Sequence, residues 1–262
     1  MRLDRYLVER GLASGREAAK RLIDAGAVVI DGKAITKPSF DVSDHFDVQI
    51  TAKPPKYVGR GGEKLEAALQ LFSLSPEGLS ALDIGASTGG FTDCLLQHGA
   101  RHVVAVDAGV GQLHPSLASN ERVTNIEKYN ARNLTKDDVG LHDFAVMDVS
   151  FISQTLILPR IPPILTMNGK LVSLIKPQFE AGRGALNKKG IVTEVRHRIN
   201  AVARVLESAA TAGLYCLGLA PSPILGGDGN EEFLAAFEVR EGSFNNGHIQ
   251  IEKTVVNKEV TF

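Results

Sequence analysis

Asp83-Ile84-Gly85-Ala86-Ser87-Thr88-Gly89-Gly90-Phe91-Thr92 follows an apolar run at 79–82 and leads into the helix-like Cys94, Leu95 and Leu96. A buried strand that passes through a glycine turn into a helix gathers backbone N–H groups around a small polar ligand. Gly85 permits the tight turn, and Gly89 and Gly90 permit close approach where a Cβ would clash. A second strand, 102–106, ends at Asp107, 22 residues after Gly85. A carboxylate at that distance is placed to accept hydrogen bonds from ribose hydroxyls. The stretch reads as a nucleoside-cofactor site on an α/β fold.

The glycine spacing narrows the cofactor. The turn reads D-I-G-A-S-T-G-G, not G-x-G-x-x-G, and the closely spaced glycines are what a diphosphate needs. A cofactor without phosphate does not need them, and its amino-acid moiety can be gripped by a carboxylate. S-adenosylmethionine is therefore expected. Asp83, Gly85, Ser87, Gly89 and Phe91 are assigned to the turn and Asp107 to the ribose. By fold analogy the adenine is expected near residues 127–130, and Asp148 near the transferred methyl.

The bulk composition excludes several classes. The chain has 262 residues, 44% hydrophobic and 23% charged, ordinary for a globular protein. No apolar run approaches the roughly 18 residues of a membrane span, and Met1-Arg2-Leu3-Asp4-Arg5 lacks a signal-peptide core. Cys94 and Cys216 are far apart without metal-ligand spacing, so a reducing cytoplasm is expected and a disulfide framework is not. The histidines show no ligand spacing, and no metal is expected. The net charge of −1 is uneven: residues 1–64 hold 12 Lys/Arg against 9 Asp/Glu, and the remainder 17 against 21.

Residues 1–52 read as a small α+β module. Leu3 and Leu7 share a helix face that Gly11 ends. Ser14 and Glu17 form a capping-box pattern for a second helix carrying Ala18, Ala19, Leu22 and Ile23. Asp31-Gly32 then turns a hairpin. Arg16 and Lys20 lie one helical turn apart, with Arg21 beside them, and Arg2, Arg5, Lys33 and Lys37 add to a candidate RNA-binding surface. Lys53-Pro54-Pro55-Lys56 breaks regular structure, and "GRGG" continues it, so 53–62 is expected to be a flexible cationic linker.

Beyond it, residues 63–240 alternate helix and strand. Candidate strands lie at 80–84, 102–106, 123–127, 144–148, 170–175, 215–220 and 232–239. Such alternation predicts a Rossmann-like, mostly parallel sheet with ligands beyond the carboxyl ends of its strands. Four charged residues of alternating sign gather there: Lys64, Asp148, Lys176 and one glutamate of Glu231-Glu232. The loop 182–190, "GRGALNKKG", is cationic, and the tail 241–262 reads as turn-rich, then strand-like at 249–251.

Here the sequence resembles known families. "ASGREAAKRLIDAGAVVIDGK" closely resembles the S-four-like RNA-binding domain, which binds structured RNA through phosphates and shape. "GRGGEKLEAAL", "ALDIGASTGGFTDCLLQHGA", "AVDAGVGQL", "MDVSFIS", "LIKPQFE" and "GNEEF", in this order over residues 1–240, resemble the TlyA family. That family is often labelled hemolysin and is similar to FtsJ-type ribose 2′-O-methyltransferases. The resemblance implies a catalytic tetrad of Lys64, Asp148, Lys176 and Glu232, with Glu231 one residue off register. It also implies methyl transfer to a cytidine ribose of ribosomal RNA in one or both subunits.

The residue types suit that reaction. A ribose hydroxyl must be aligned with the sulfonium methyl and lose a proton, without metal or covalent intermediate. Lys176 is the expected base or hydroxyl activator, and the carboxylates are expected to hold the lysines. A membrane-active hemolysin would need an apolar span, an amphipathic basic helix or a secretion signal. A catalytically inactive RNA-binding protein on a methyltransferase fold is the other alternative, and the intact tetrad and turn stand against it.

Overall fold

The computed structural model describes the chain except residues 14, 25, 44, 52–54, 227, 228 and 243, and except the side chains of Glu17 and Arg21. The Ser14–Glu17 capping box and the Lys53-Pro54 break therefore lie outside the described residues. The chain divides into two compact units, Met1–Pro55 and Lys56–Phe262.

In the first unit, α1 (Leu3–Glu9) and α2 (Arg16–Asp24) precede β1 (Val28–Ile30), β2 (Lys33–Ala34) and β3 (Val48–Ile50). The strands form an antiparallel sheet ordered β2-β1-β3. Asp31 and Gly32 both have positive φ, 48° and 77°, the twist that a two-residue hairpin turn needs. Leu3, Leu7, Ala19, Ile23, Val28, Ile30 and Val42 form the core.

The second unit opens with α3 (Gly61–Leu71), β4 (Ser80–Ile84), α4 (Gly90–Gln97) and β5 (His102–Val106). α5 (Pro115–Ala118), β6 (Val123–Ile126), α6 (Lys136–Val139) and β7 (His142–Met147) follow. β8 (Leu165–Ile175), α7 (Pro177–Glu180) and α8 (Val195–Thr211) come next. β9 (Leu214–Pro221), β10 (Phe233–Val239) and α9 (Ile251–Asn257) complete the chain. The strands form one sheet ordered β6-β5-β4-β7-β8-β10-β9. β6, β5, β4, β7 and β8 are parallel, and β10 runs antiparallel between β8 and β9. Alternate residues of the central strands feed two cores: Leu82, Val104 and Leu171 pack toward α8, and Ala81, Val103 and Val172 toward α3 and α4. Burial on both faces explains why these strands read as continuous apolar runs.

The register gathers one end of the sheet. Ile84 pairs with Val106 and Met147, so Gly85, Asp107 and Asp148 emerge side by side. Ile175 pairs with Phe233 in antiparallel register, which sets Lys176 opposite Glu232.

Two expectations are corrected. Residues 56–62 are not a flexible linker: Tyr57 is 3% exposed in the core of the second unit, and Gly61 and Gly62 already belong to α3. The glycines serve packing, since a Cβ on Gly62 would lie 2.3 Å from Tyr57 Cγ, and one on Gly90 3.0 Å from Gly59 O. Nor does the second unit stop at residue 240 with a strand-like tail. Residues 251–257 are helical, Thr261 bridges Leu219 on β9, and the Phe262 ring lies 6.4 Å from that of Phe72. The apolar 249–251 run faces α8 and β9, where Val255 and Ile249 are buried.

Gly62→Ala is accordingly expected to destabilise the second unit by about 1–3 kcal/mol, as overpacking does. At roughly 2–4 °C per kcal/mol for a domain of this size, thermal melting reads the loss directly. An unchanged Tm would show that the Tyr57 ring moves aside freely.

Candidate active site

The glycine turn is fixed by its own backbone. Gly85 and Ala86 N–H donate to Val106 O, and Gly85 and Gly89 have φ of 85° and 92°. A Cβ on Gly85 would lie 2.6 Å from the carbonyl oxygen of Asp148, and one on Gly89 2.3 Å from Leu117 Cδ1. The neighbours that demand glycine at 85 and 89 are therefore protein atoms.

Two cavities meet at this turn. A cleft of about 600 Å³ is lined by Gly85, Ser87, Asp107, Tyr129, Asn130 and Ile152 among others. A smaller recess of about 180 Å³ is lined by Gly61, Gly85, Ser87, Phe91, Asp148 and Lys176 among others. Asp107 anchors the cleft: Oδ2 accepts from Ser87 N–H at 2.8 Å and Oδ1 from Gly109 N–H at 2.6 Å. Each oxygen keeps a lone pair for a ligand hydroxyl. Lys128, Tyr129 and Asn130 line the far end, whereas Glu127 does not and accepts from Gly111 N–H instead.

Asp83 departs from its expected place. It lines neither cavity; it is fully buried, and Oδ2 accepts from Thr92 Oγ1 at 2.6 Å. It fastens α4 to the strand behind the turn. Its Oδ1 is buried without a partner, so its carboxylate is incompletely satisfied.

The four candidate catalytic residues form two ion pairs. Lys176 Nζ lies 2.6 Å from Asp148 Oδ1, close but not aligned as a hydrogen bond, and donates to Ser150 Oγ at 2.9 Å. Lys64 Nζ meets Glu232 Oε2 at 2.5 Å, with both side chains buried, and Gln178 Nε2 lies 3.4 Å from Glu232 Oε1. Lys64 sits one helical turn after Gly61, which lines the recess. Glu231 points elsewhere, toward Lys258 and Arg198.

Several residues of the site carry no sequence signal of their role. Phe151 is 92% exposed at positive φ on the cleft rim, its ring 5.1 Å from that of Phe179. Buried Glu180 accepts from Ser153 Oγ and Gln154 N–H, and Gln154 donates to Leu174 O. These bonds tie the 148–154 segment to the strand that ends at Lys176. Nothing in the sequence singles out Phe151 for the rim or Glu180 for the frame behind it.

On the first unit, Arg2 pairs with Asp4 and Arg5 with Glu9. Arg16, Lys20, Lys33 and Lys37 are exposed and have no ion-pair partner among the described residues, while the Arg21 side chain lies outside them. The surface expected for RNA is thus partly offset by its own carboxylates.

Comparison with known proteins agrees with this architecture. The FtsJ-like methyltransferase family matches residues 57–239 and the S4 domain residues 1–48. The 16S/23S rRNA (cytidine-2'-O)-methyltransferase TlyA of Mycobacterium tuberculosis is 42% identical, covering 88% of this chain and 87% of its own. Hemolysin A of Brachyspira hyodysenteriae is also 42% identical, covering 90% and 99%. A solved Streptococcus thermophilus structure carrying the hemolysin label is 43% identical with a TM-score of 0.80, covering 98% and 95%.

Burial pushes the Asp83 carboxyl up to about 7, partly countered by the Thr92 hydrogen bond. The folded protein thus holds this proton more tightly than the unfolded chain, and stability falls as pH rises from about 4 toward 7. Asp83→Asn removes that slope. Melting both proteins across this window should show the variant gaining on the wild type as pH rises. A difference that stays flat would mean that Asp83 ionises as freely as in the unfolded chain.

Proposed function

This chain belongs to the FtsJ-like methyltransferases, in their TlyA family, and from that premise we propose that it transfers a methyl group from S-adenosylmethionine to a ribose 2′-hydroxyl, a cytidine's, in ribosomal RNA. The observation that carries the reading is the Lys176–Asp148 pair on the wall of the recess, which opens beside the Asp107 cleft.

The residues fit that cofactor. The cleft is of a size for a nucleoside ligand. It offers Asp107 oxygens to ribose hydroxyls and the apolar Ile152 and Val149 with the Tyr129 ring to an adenine. When bound, the cofactor supplies an electrophilic methyl on a sulfonium. The chain's own groups then act on the hydroxyl. Lys176 Nζ donates to Ser150 Oγ and lies beside Asp148 Oδ1 without a hydrogen bond to it; as a neutral amine it would turn its lone pair to the hydroxyl proton. Lys176 would then take up that proton as the oxygen–carbon bond forms and the methyl's bond to sulfur breaks. Glu232 and Lys64 lock the starts of β10 and α3 beside it. Phe151 offers an exposed ring on which an unstacked base can lie, a contact worth about 1–3 kcal/mol where it is made.

The S4 domain supplies placement on structured RNA. A membrane-lytic activity has less support: among the described residues no helix is long and apolar enough to cross a membrane.

Tritium transfer from labelled S-adenosylmethionine onto ribosomal subunits, with mapping of the modified nucleotide, tests the reading. Lys176→Ala should lose about 10²–10⁴-fold in transfer, the range of a general acid–base group, with little change in S-adenosylhomocysteine binding. Lys176→Arg should fail too, because a guanidinium does not release its proton near neutral pH. Near-normal transfer by the arginine variant would replace the base role with that of a fixed positive charge.

Arg16→Glu with Lys20→Glu should weaken binding to ribosomal subunits and flatten its salt dependence, since fewer counterions are released. Unchanged affinity would leave the first unit a structural role only.

A further inference from the structure

The loop 182–190 follows Lys176 and α7 directly and is anchored at its far end beside Glu232. Asn230 is 2% exposed; its Oδ1 accepts from Val192 N–H at 3.1 Å and its Nδ2 donates to Gly190 O at 3.1 Å. Two residues on from Asn230 lies Glu232, buried against Lys64. One catalytic residue thus enters the loop and the anchor of another holds its exit.

The tip is built to present charge. Asn187 N–H donates to Ile191 O at 3.0 Å, and Gly190 N–H to Asn187 O at 2.9 Å. Asn187 Oδ1 accepts from the N–H groups of Lys189 and Ile191. That closed turn leaves Lys188 and Lys189 at its apex, exposed, with Arg183 exposed nearer the start.

These three cations are grouped without a carboxylate among them. Residues 56–262 carry 20 Lys/Arg and 22 Asp/Glu, yet residues 181–193 hold three cations and no carboxylate. Some cations elsewhere in the unit lie on carboxylates, as Lys56 does on Glu66 and Lys258 on Glu231, and others are exposed without an ion pair among the described residues; in this loop three fall within 183–189 with no carboxylate among them. Arg183, Lys188 and Lys189 make no ion pair among the described residues. A net-negative unit that orders an unneutralised cationic loop beside its reaction centre is suited to an anion brought from outside.

We propose that the 182–190 loop is a second RNA-binding element, on the catalytic unit itself, whose Arg183, Lys188 and Lys189 grip backbone phosphates flanking the target nucleotide, and that Asn230 holds the loop in register with Glu232. The inference rests on the proposed RNA substrate. The charges supply sequence-independent attraction and the anchor fixes where the phosphates lie relative to Lys176.

The test uses the full chain and ribosomal subunits from cells lacking this modification. Binding is measured between 50 and 200 mM salt, and methyl transfer is followed with labelled S-adenosylmethionine. In the triple variant Arg183→Ala/Lys188→Ala/Lys189→Ala, the slope of log affinity against log salt should shrink by about one for each phosphate that is no longer gripped. KM for subunits should rise severalfold, while kcat at saturating subunits and S-adenosylhomocysteine affinity stay close to wild type. Asn230→Ala keeps the charges, so its salt slope should hold while KM rises; a melt at the wild-type temperature certifies that it folds. A triple variant with unchanged slope and KM overturns the phosphate-gripping role while leaving the methyltransferase reading intact. A folded Asn230→Ala with unchanged KM overturns the anchoring role. Wild-type protein that transfers no methyl to any subunit would instead remove the substrate reading itself.

Discussion

The closeness of Gly85 to the Asp148 carbonyl is the constraint from which the site follows. β4 and β7 run parallel in a register that ends them level, and the backbone at 85 turns across the exit of β7. A Cβ at 85 would stand 2.6 Å from that carbonyl oxygen, well inside van der Waals contact. With no side chain there, Asp148 projects past the turn to reach Lys176, and the cleft and recess share the same floor. The same economy recurs at Gly59, Gly62 and Gly90, where the start of α3 presses on the start of α4. Close backbone approach is what brings Lys64 to a site otherwise built from strand ends.

Stability alone does not account for the polar interactions at these strand ends. Burying the Lys64–Glu232 pair strips both ions of water, and apolar residues of the same volume often serve a fold as well or better. Asp83 is the sharper case, a buried carboxylate with one oxygen unpartnered. Both lie beyond or behind the carboxyl ends of the central strands, where α/β sheets place their ligands. Glu180 and Gln154, fully hydrogen-bonded behind the site, do the opposite work: they tie the Asp148–Phe151 segment to β8 and α7. A fixed frame around the Lys176–Asp148 pair, whose Asp148 Oδ1 accepts no hydrogen bond, is an arrangement that suits preorganised catalysis.

Legibility in the sequence followed the range of the interaction. The Asp31-Gly32 hairpin, the glycine turn and the central strands were readable because a dipeptide or a short apolar run decides each. Residues 56–62 and 249–251 misled, because the deciding partners are distant. Glycines chosen for packing on Gly90 look like linker glycines, and a short apolar run at a helix start looks like a strand until β9 and α8 are seen beside it. The choice between Glu231 and Glu232 has the same origin. Adjacent residues leave a chain in different directions, and it takes the antiparallel pairing of β10 with β8 to turn Glu232 inward and leave Glu231 to Lys258 and Arg198. Phe151 was unreadable for a related reason: nothing in a sequence distinguishes a phenylalanine left in solvent from one in the core.

Charge is where counting says least and placement most. Residues 1–55 carry nine Lys/Arg against eight Asp/Glu, an excess too small to attract a polyanion by itself. Pairing alters that sum locally: Asp4 and Glu9 are used on Arg2 and Arg5, and Asp41 on the amino terminus. Arg16 and Lys20 are left one helical turn apart without an ion pair among the described residues. In the net-negative catalytic unit Arg183, Lys188 and Lys189 are among the cations without an ion pair among the described residues, and no carboxylate lies within 181–193. On the proposed reading each patch adds only a part of the attraction to RNA, and recognition by shape is left to contacts made at several patches together.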